Sequence, residues 1–184
     1  SQRGLYHLAH SVHDMQEITR RAYSNYLNGI DAEILNQDQV KKNIPHMNVN
    51  GRYPVLGAIL QRRAGTARHD AVAWGYARAA ENLGVDIIQN CEVTGIDVSN
   101  GIVTGLQTTK GSVNAKKVGL VPAGHSSVLA NMAGFRLPIS SVPLQALVSE
   151  PIKPILDCVI MSNTVHVYVS QSDKGELVVG AGSD

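Results

Sequence analysis

The stretch Arg63-Ala-Gly-Thr-Ala-Arg-His-Asp-Ala-Val-Ala-Trp-Gly-Tyr-Ala-Arg78 sets a histidine, His69, directly before Asp70, a residue suited to start a helix. Val72, Tyr76, Ala79, Ala80 and Leu83 then recur at helical steps and Gly84 supplies a left-handed stop. This spacing predicts a helix with Asp70 at the N-cap and His69 one position outside it, its imidazole free to point away. On spacing alone His69 is an available loop histidine and nothing more. Other chemistry-bearing groups are weaker. His7, His10 and His13 recur every three residues, but no carboxylate or cysteine at ligand spacing completes a set, and no metal is expected. Gly124-His-Ser-Ser127 lacks the flanking glycines of a hydrolase nucleophile turn, so its serines read as helix caps. Cys91 and Cys158 fall in separate strand-like segments, which favours buried free thiols.

The elements that must position these residues follow from periodicity. Ser11-Val-His-Asp14 has a capping-box pattern before a helical run to Tyr26 that Gly29 ends. Ala32 to Leu35 reads as extended, Asn36 as the cap of a brief helix, and residues 46 to 66 as loop with one or two short strands. Val85-Asp-Ile-Ile88 and Val118-Gly-Leu-Val121 read as strands buried on both faces. Between them, alternation from Cys91 to Val98, a Ser99-Asn-Gly101 turn, alternation from Ile102 to Thr109 and a Lys110-Gly111 turn predict a three-stranded meander. Ser126 to Met132 reads as a helix that Gly134 stops. Strands follow at 144–148, 159–161, 164–169 and 176–179.

Helix, buried strand, meander, buried strand is the order in dinucleotide-binding flavoproteins of the glutathione-reductase type, a likeness of fold and not of chemistry. The terminal Leu177-Val-Val-Gly-Ala-Gly182 imitates a glycine-rich phosphate loop. It lacks the third glycine, the helix and the later acidic residue, and it is reached through a hairpin turn, so it reads as an antiparallel strand whose end, 180–184, frays. No complete Gly-x-Gly-x-x-Gly occurs in the chain.

Composition narrows the class. The 184 residues carry 16 basic and 15 acidic side chains, a net charge of +1 and 43% hydrophobic content. That balance gives no electrostatic footprint for nucleic acid or for a membrane surface, and no apolar run has spanning length. No charged-then-apolar leader opens the chain. A cytoplasmic globular protein is expected.

Four stretches, Gly65-Thr-Ala-Arg-His-Asp-Ala-Val-Ala-Trp-Gly-Tyr-Ala-Arg78, Gly84-Val-Asp-Ile-Ile-Gln-Asn-Cys-Glu-Val93, Leu144-Gln-Ala-Leu-Val-Ser-Glu150 and Tyr168-Val-Ser-Gln-Ser-Asp-Lys-Gly-Glu-Leu177, carry a family resemblance over essentially the whole chain. It resembles the beta subunits of the heterotetrameric sarcosine oxidases, in the D-amino-acid oxidase group of FAD-dependent flavoproteins. The resemblance implies oxidative demethylation of sarcosine to glycine at a noncovalent FAD. Electrons then pass to an FMN tethered to a histidine and on to oxygen. The tethering histidine precedes Asp-Ala-Val-Ala-Trp and maps onto His69. Val93 maps onto the valine whose backbone contacts FAD. Ala123 and Gly124 map onto the strand end where the flavin nucleotide passes close, and Pro122 departs from the small apolar residue usual before them. Val93 also suits an ordinary strand, and Gly124 an ordinary turn.

The implied partners are alpha, gamma and delta subunits, with sarcosine as substrate and tetrahydrofolate as cosubstrate. No residue is assigned as catalytic base or carboxylate anchor. Family members open with a glycine-rich FAD loop and end with a segment over the isoalloxazine; neither is found here. The chain is therefore expected to be an internal fragment, inactive alone and without a complete FAD site. The fold implied is mixed α/β: substrate-domain parts at 1–66 and 137–184, the latter antiparallel, and a FAD-domain part with the meander at 67–136. A related secondary-amine or D-amino-acid oxidoreductase is an alternative, as is a catalytically inert interaction module.

Overall fold

The computed structural model describes residues 1–181. The chain forms two compact units, one from Ser1–His69 together with the chain from Leu144 onward, the other from Asp70–Pro143.

In the first unit, β1 (Leu5–Ala9), β2 (Glu33–Asn36), β3 (Gly57–Gln61), β7 (Gln145–Val148), β8 (Val159–Ser162), β9 (Val167–Gln171) and β10 (Leu177–Ala181) build one seven-stranded sheet in the order β2-β3-β1-β8-β9-β10-β7. All pairings are antiparallel except β1 with β8, where Leu5 lies opposite Val159 and His7 opposite Met161. The sheet is therefore mixed: β7 to β10 pair with one another antiparallel, as expected, and β8 meets β1 in parallel. Helix α1 (Val12–Leu27) starts where the capping pattern puts it, with the Ser11 hydroxyl accepting from the Asp14 N–H at 3.1 Å. Helix α2 (Gln37–Asn43) carries a reciprocal capping box between Asn36 and Gln39. Ile18 and Ala22 of α1 pack with Ala9 and Ile59 in one core cluster, while Tyr6, Leu8, Ala58 and Leu60 join Val40, Ile44, Val49 and Val55 in another. Ile59 is 1% exposed, and burial on this scale contributes about 2–3 kcal/mol per large aliphatic side chain.

Strand β1 was not foreseen from the sequence, and it disperses the histidine triplet. His7 is buried in β1, His13 lies on α1, and His10 between them is held by the Pro54 carbonyl at 3.1 Å and the Ser162 hydroxyl at 2.9 Å. Among the described residues no group of three His, Cys, Asp or Glu is placed to hold a metal ion. Cys158 is buried, and burial pushes its thiol up to about 11; Cys91 is only partly buried.

The β9–β10 hairpin confirms the antiparallel reading of residues 176–179. Gly180 and Ala181 are not frayed, because both pair with β9 on one side and β7 on the other. Gly182 to Asp184 lie outside the described residues.

Helix α3 (His69–Asn82), whose residues from Asp70 on belong to the second unit, is stopped by Gly84 at φ +87, as the sequence predicts. The meander forms as β4 (Val93–Ser99), β5 (Ile102–Thr108) and β6 (Gly111–Asn114), with Asn100 and Gly101 at positive φ in a two-residue turn. A 3₁₀ turn (Ala123–His125) leads into α4 (Ser126–Met132). Ser126 is the first helical residue, not a cap, and its hydroxyl donates to the Ala123 carbonyl at 2.8 Å. The two strands expected at 85–88 and 118–121 are absent from the described structure, and Ile88 and Val121 stand 60% and 92% exposed. An apolar run becomes a strand only when a neighbour takes its backbone N–H and C=O groups, and no described segment pairs with either run.

Two buried polar groups generate predictions. Gln171, 5% exposed, accepts from the N–H groups of Ile155 (2.8 Å) and Leu156 (3.0 Å) and donates to the carbonyls of Lys153 (3.1 Å) and Gly175 (2.9 Å). Gln171→Leu strands three backbone groups, since the Gly175 carbonyl keeps the Ile152 N–H at 3.1 Å, and should lower unfolding free energy by about 2–3 kcal/mol in urea titration. The His7 imidazole is pushed below its ordinary value of 6.5, first by burial and then by Arg21. The unfolded chain therefore binds a proton that the folded chain rejects, and stability should fall as pH drops below 6.5 through the lowered value. His7→Gln should flatten that slope in urea titrations repeated between neutral and acid pH.

Candidate functional site

Residues 62–68 deliver the chain to His69, and their path is fixed at its middle. Gly65 bridges to Gln2, and Thr66 N–H donates to the Ser1 carbonyl at 3.1 Å. A Cβ on Gly65 would stand 2.0 Å from that carbonyl oxygen, so only glycine lets the two backbones meet. His69 itself is exposed, as expected, but it is the first residue of α3 and not the residue before it. Asp70 accordingly sits in the first turn, where its carboxylate accepts from the Ala71 N–H at 2.8 Å. The shift is one residue: Arg68 precedes the helix, and the acid still serves a first-turn amide and the helix dipole. The amphipathic face expected on α3 packs against no other element among the described residues. None of its residues is buried, and Val72, Trp74 and Tyr76 stand 47%, 52% and 77% exposed.

Val93 opens β4, which is an edge of the three-stranded sheet. Thr109 N–H donates to the Glu92 carbonyl at 3.0 Å, and Glu92 N–H donates to the Thr109 hydroxyl at 3.1 Å. Because Glu92 turns both backbone groups toward β5, the alternation of an antiparallel ladder turns those of Val93 to the open edge. This is the geometry by which a backbone can read the edge of a planar ring.

Ala123 and Gly124 are both exposed, in the 3₁₀ turn that leads into α4, and α4 packs on β4. The second unit thus carries Val93, Ala123 and Gly124 on a connected set of elements. The constraint at the turn differs from the one foreseen. Ala123, not the glycine, takes the positive φ of 48. A Cβ on Gly124 would meet only the Ser141 hydroxyl, at 3.8 Å. The chain's own packing does not demand a glycine there, and the space beside it stays open to a ligand. A half-open backbone edge and an uncovered, side-chain-poor turn fit a flat nucleotide.

A cleft of about 640 Å³ in the first unit is lined by Arg3, Ile44, His46, Leu156, Asp157 and Asp173 among others, and none of the four expected site residues borders it. Sequence reasoning gave no sign of it, since its walls come from segments far apart in the chain.

The fold recurs among solved structures. The structure of L-proline dehydrogenase from P. horikoshii matches with a TM-score of 0.84 at 20% identity, covering 100% of this chain and 49% of that one. The profile of the FAD dependent oxidoreductase (DAO) family matches residues 1–184, and the chain belongs to that family. It is 57% identical over its whole length to the sarcosine oxidase subunit beta of Rhodobacter capsulatus and 58% identical to that of an Arthrobacter species. It spans 45% and 46% of those two relatives.

The Gly124 geometry yields a separable test. Gly124→Ala should change the stability of the cofactor-free chain by no more than about 1 kcal/mol, since neither φ nor space opposes it. In the assembled flavoenzyme the same methyl should weaken FAD retention, measured by flavin release on dilution. Unchanged retention removes Gly124 from the site.

Proposed function

We propose that the chain is part of the beta subunit of a heterotetrameric sarcosine oxidase that oxidises the N-methyl carbon of sarcosine, leaving glycine and a one-carbon unit for tetrahydrofolate or release as formaldehyde. The observation that carries this reading is identity of 57–58% to two sarcosine oxidase beta subunits across the whole chain. In this reading residues 1–66 and 137–184 are parts of the substrate domain and 67–136 part of the FAD domain. Alpha, gamma and delta subunits complete a cytoplasmic complex.

FAD and FMN, when bound, supply the redox chemistry that takes electrons from the amine and delivers them to oxygen as hydrogen peroxide. The chain's own residues bind and orient. Val93 offers its outward backbone edge to the FAD nucleotide, and Ala123 and Gly124 leave room for its passage. His69 holds FMN through a ring nitrogen. The imidazole is exposed, so a flavin can be joined to it without disturbing a core. The bracing of Gly65 and Thr66 against residues 1–2 fixes the backbone that leads into the histidine. The N-terminus of α3 favours negative charge on a reduced ring nearby. The exposed Trp74 and Tyr76 on the same helix give apolar surface for a partner subunit to cover.

His69→Ala in the assembled enzyme should abolish the covalent flavin, read by mass spectrometry of the peptide containing residue 69. Stability should change by no more than about 0.5 kcal/mol because no buried surface is lost. Dye-linked oxidation of sarcosine should persist while oxygen consumption collapses. Acid-stable flavin still attached to the variant subunit would place the tether at another histidine or outside this chain.

A further inference from the structure

The proposed flavin chemistry makes no use of a small recess beside β1 and α1. It is about 150 Å³ in volume and bordered by His7, Asp14, Glu17, Arg21, Asn163 and Thr164 among others. Its floor is an unusual group, a histidine 5% exposed in the middle of a strand. Arg21 Nη1 lies 2.8 Å from His7 Nδ1. A guanidinium can only donate, so Nδ1 carries the lone pair and the ring proton sits on Nε2.

That Nε2–H has no hydrogen-bond partner among the described residues. It is not sealed in either, because the one enclosed side-chain nitrogen or oxygen left without a partner there is Asn25 Nδ2. His7 Nε2 therefore keeps some accessible surface, and His7 is one of the residues that border the recess.

The charges around it are unevenly committed. Glu17 is paired with Arg20, and the Asp14 carboxylate accepts from His10 N–H and from the Thr164 hydroxyl, each at 2.9 Å. Arg21 makes no ion pair among the described residues; its guanidinium reaches only His7. Asp14 Oδ1 takes neither of the bonds from His10 and Thr164; the recess is bordered by two carboxylates, each already matched to a donor or a cation, and by one guanidinium that no carboxylate pairs among the described residues. His7 is pushed below its ordinary value first by burial and then by the cation of Arg21, with the carboxylate of Asp14 opposing.

We propose that this recess binds a small monocarboxylate, whose oxygens accept from His7 Nε2–H and from the Arg21 guanidinium, with the Asn163 amide at the rim. At about 150 Å³ the recess is smaller than the roughly 300 Å³ at which pockets for drug-sized ligands begin, which suits formate or acetate better than a nucleotide. A planar guanidinium matches a carboxylate's two oxygens better than a spherical halide, and the nearby Asp14 disfavours a dianion. Occupancy ties α1 to β1 and to the turn between β8 and β9, because the donors come from all three.

The test is NMR of the protein carrying ¹⁵N-labelled histidine, titrated with sodium acetate at constant ionic strength, with sodium chloride as the second arm. The His7 ring, assigned with His7→Gln, should show the Nε2-protonated pattern and shift saturably with acetate in about the millimolar range. Arg21→Gln, at an exposed position that keeps the fold, should weaken the response at least about tenfold, whereas Arg20→Gln should not. An Nδ1-protonated ring, no saturable shift, an equal response to chloride, or undiminished acetate binding by Arg21→Gln would each overturn the site.

Discussion

The parallel pairing of β1 with β8 is the constraint on which the first unit depends. It joins residues 5–7 to residues 159–161, and a closure of that span in the chain costs loop entropy that local contacts cannot offset. The compensation is burial: Tyr6, His7, Leu8 and Ala9 are all inside, two on each face of one strand. With β1 fixed between β3 and β8, α1 and α2 take their places against the sheet, and the hairpin of β9 and β10 extends it to β7. Residues 70–143 then form a unit of their own.

Closing the sheet this way puts polar groups indoors, and each needs a partner. Gln171 takes up four backbone groups of segments that make no regular ladder, so one amide does for the 153–156 loop what a strand would otherwise do. His7 is held by a single donated bond from Arg21, a lighter arrangement that leaves a donor facing a recess. Both groups sit in or beside the strands that close the unit, where a buried unpaired group would be costly.

The second unit is organised differently. Ala130 is the one buried apolar residue among its described positions, while Val72, Trp74 and Tyr76 of α3, Val85, Ile87, Ile88 and Val121 are exposed. Its order is local: a helix with a glycine stop, a meander with two-residue turns, and a 3₁₀ turn running into α4. The residues proposed to meet flavin lie on such locally determined pieces. That is why Val93 still opens the meander in a unit with so little core and His69 could be located to within one residue of its position on α3, whereas the strand expected to end at Ala123 is absent from the described structure.

The sequence by itself determined what depends on neighbours a few positions apart. Capping at Ser11 and Asn36, the stops at Gly29 and Gly84, the turn at Asn100-Gly101 and the β9–β10 hairpin are short-range satisfactions of backbone groups, and each is where the residues put it. The family was legible because a run such as His-Asp-Ala-Val-Ala-Trp is specific, although nothing in its spacing revealed a flavin. Tertiary structure alone decided which apolar runs became strands. Leu5–Ala9 carries a histidine and gave no clear period, yet it is the strand buried on both faces. Val85-Asp-Ile-Ile88 looks more like such a strand and pairs with nothing described. The physical reason is that a strand's hydrogen bonds belong to its neighbours, so its existence is settled by which segments meet. The same holds for Gln171 and for His7 with Arg21, whose roles arise only when distant segments close around them.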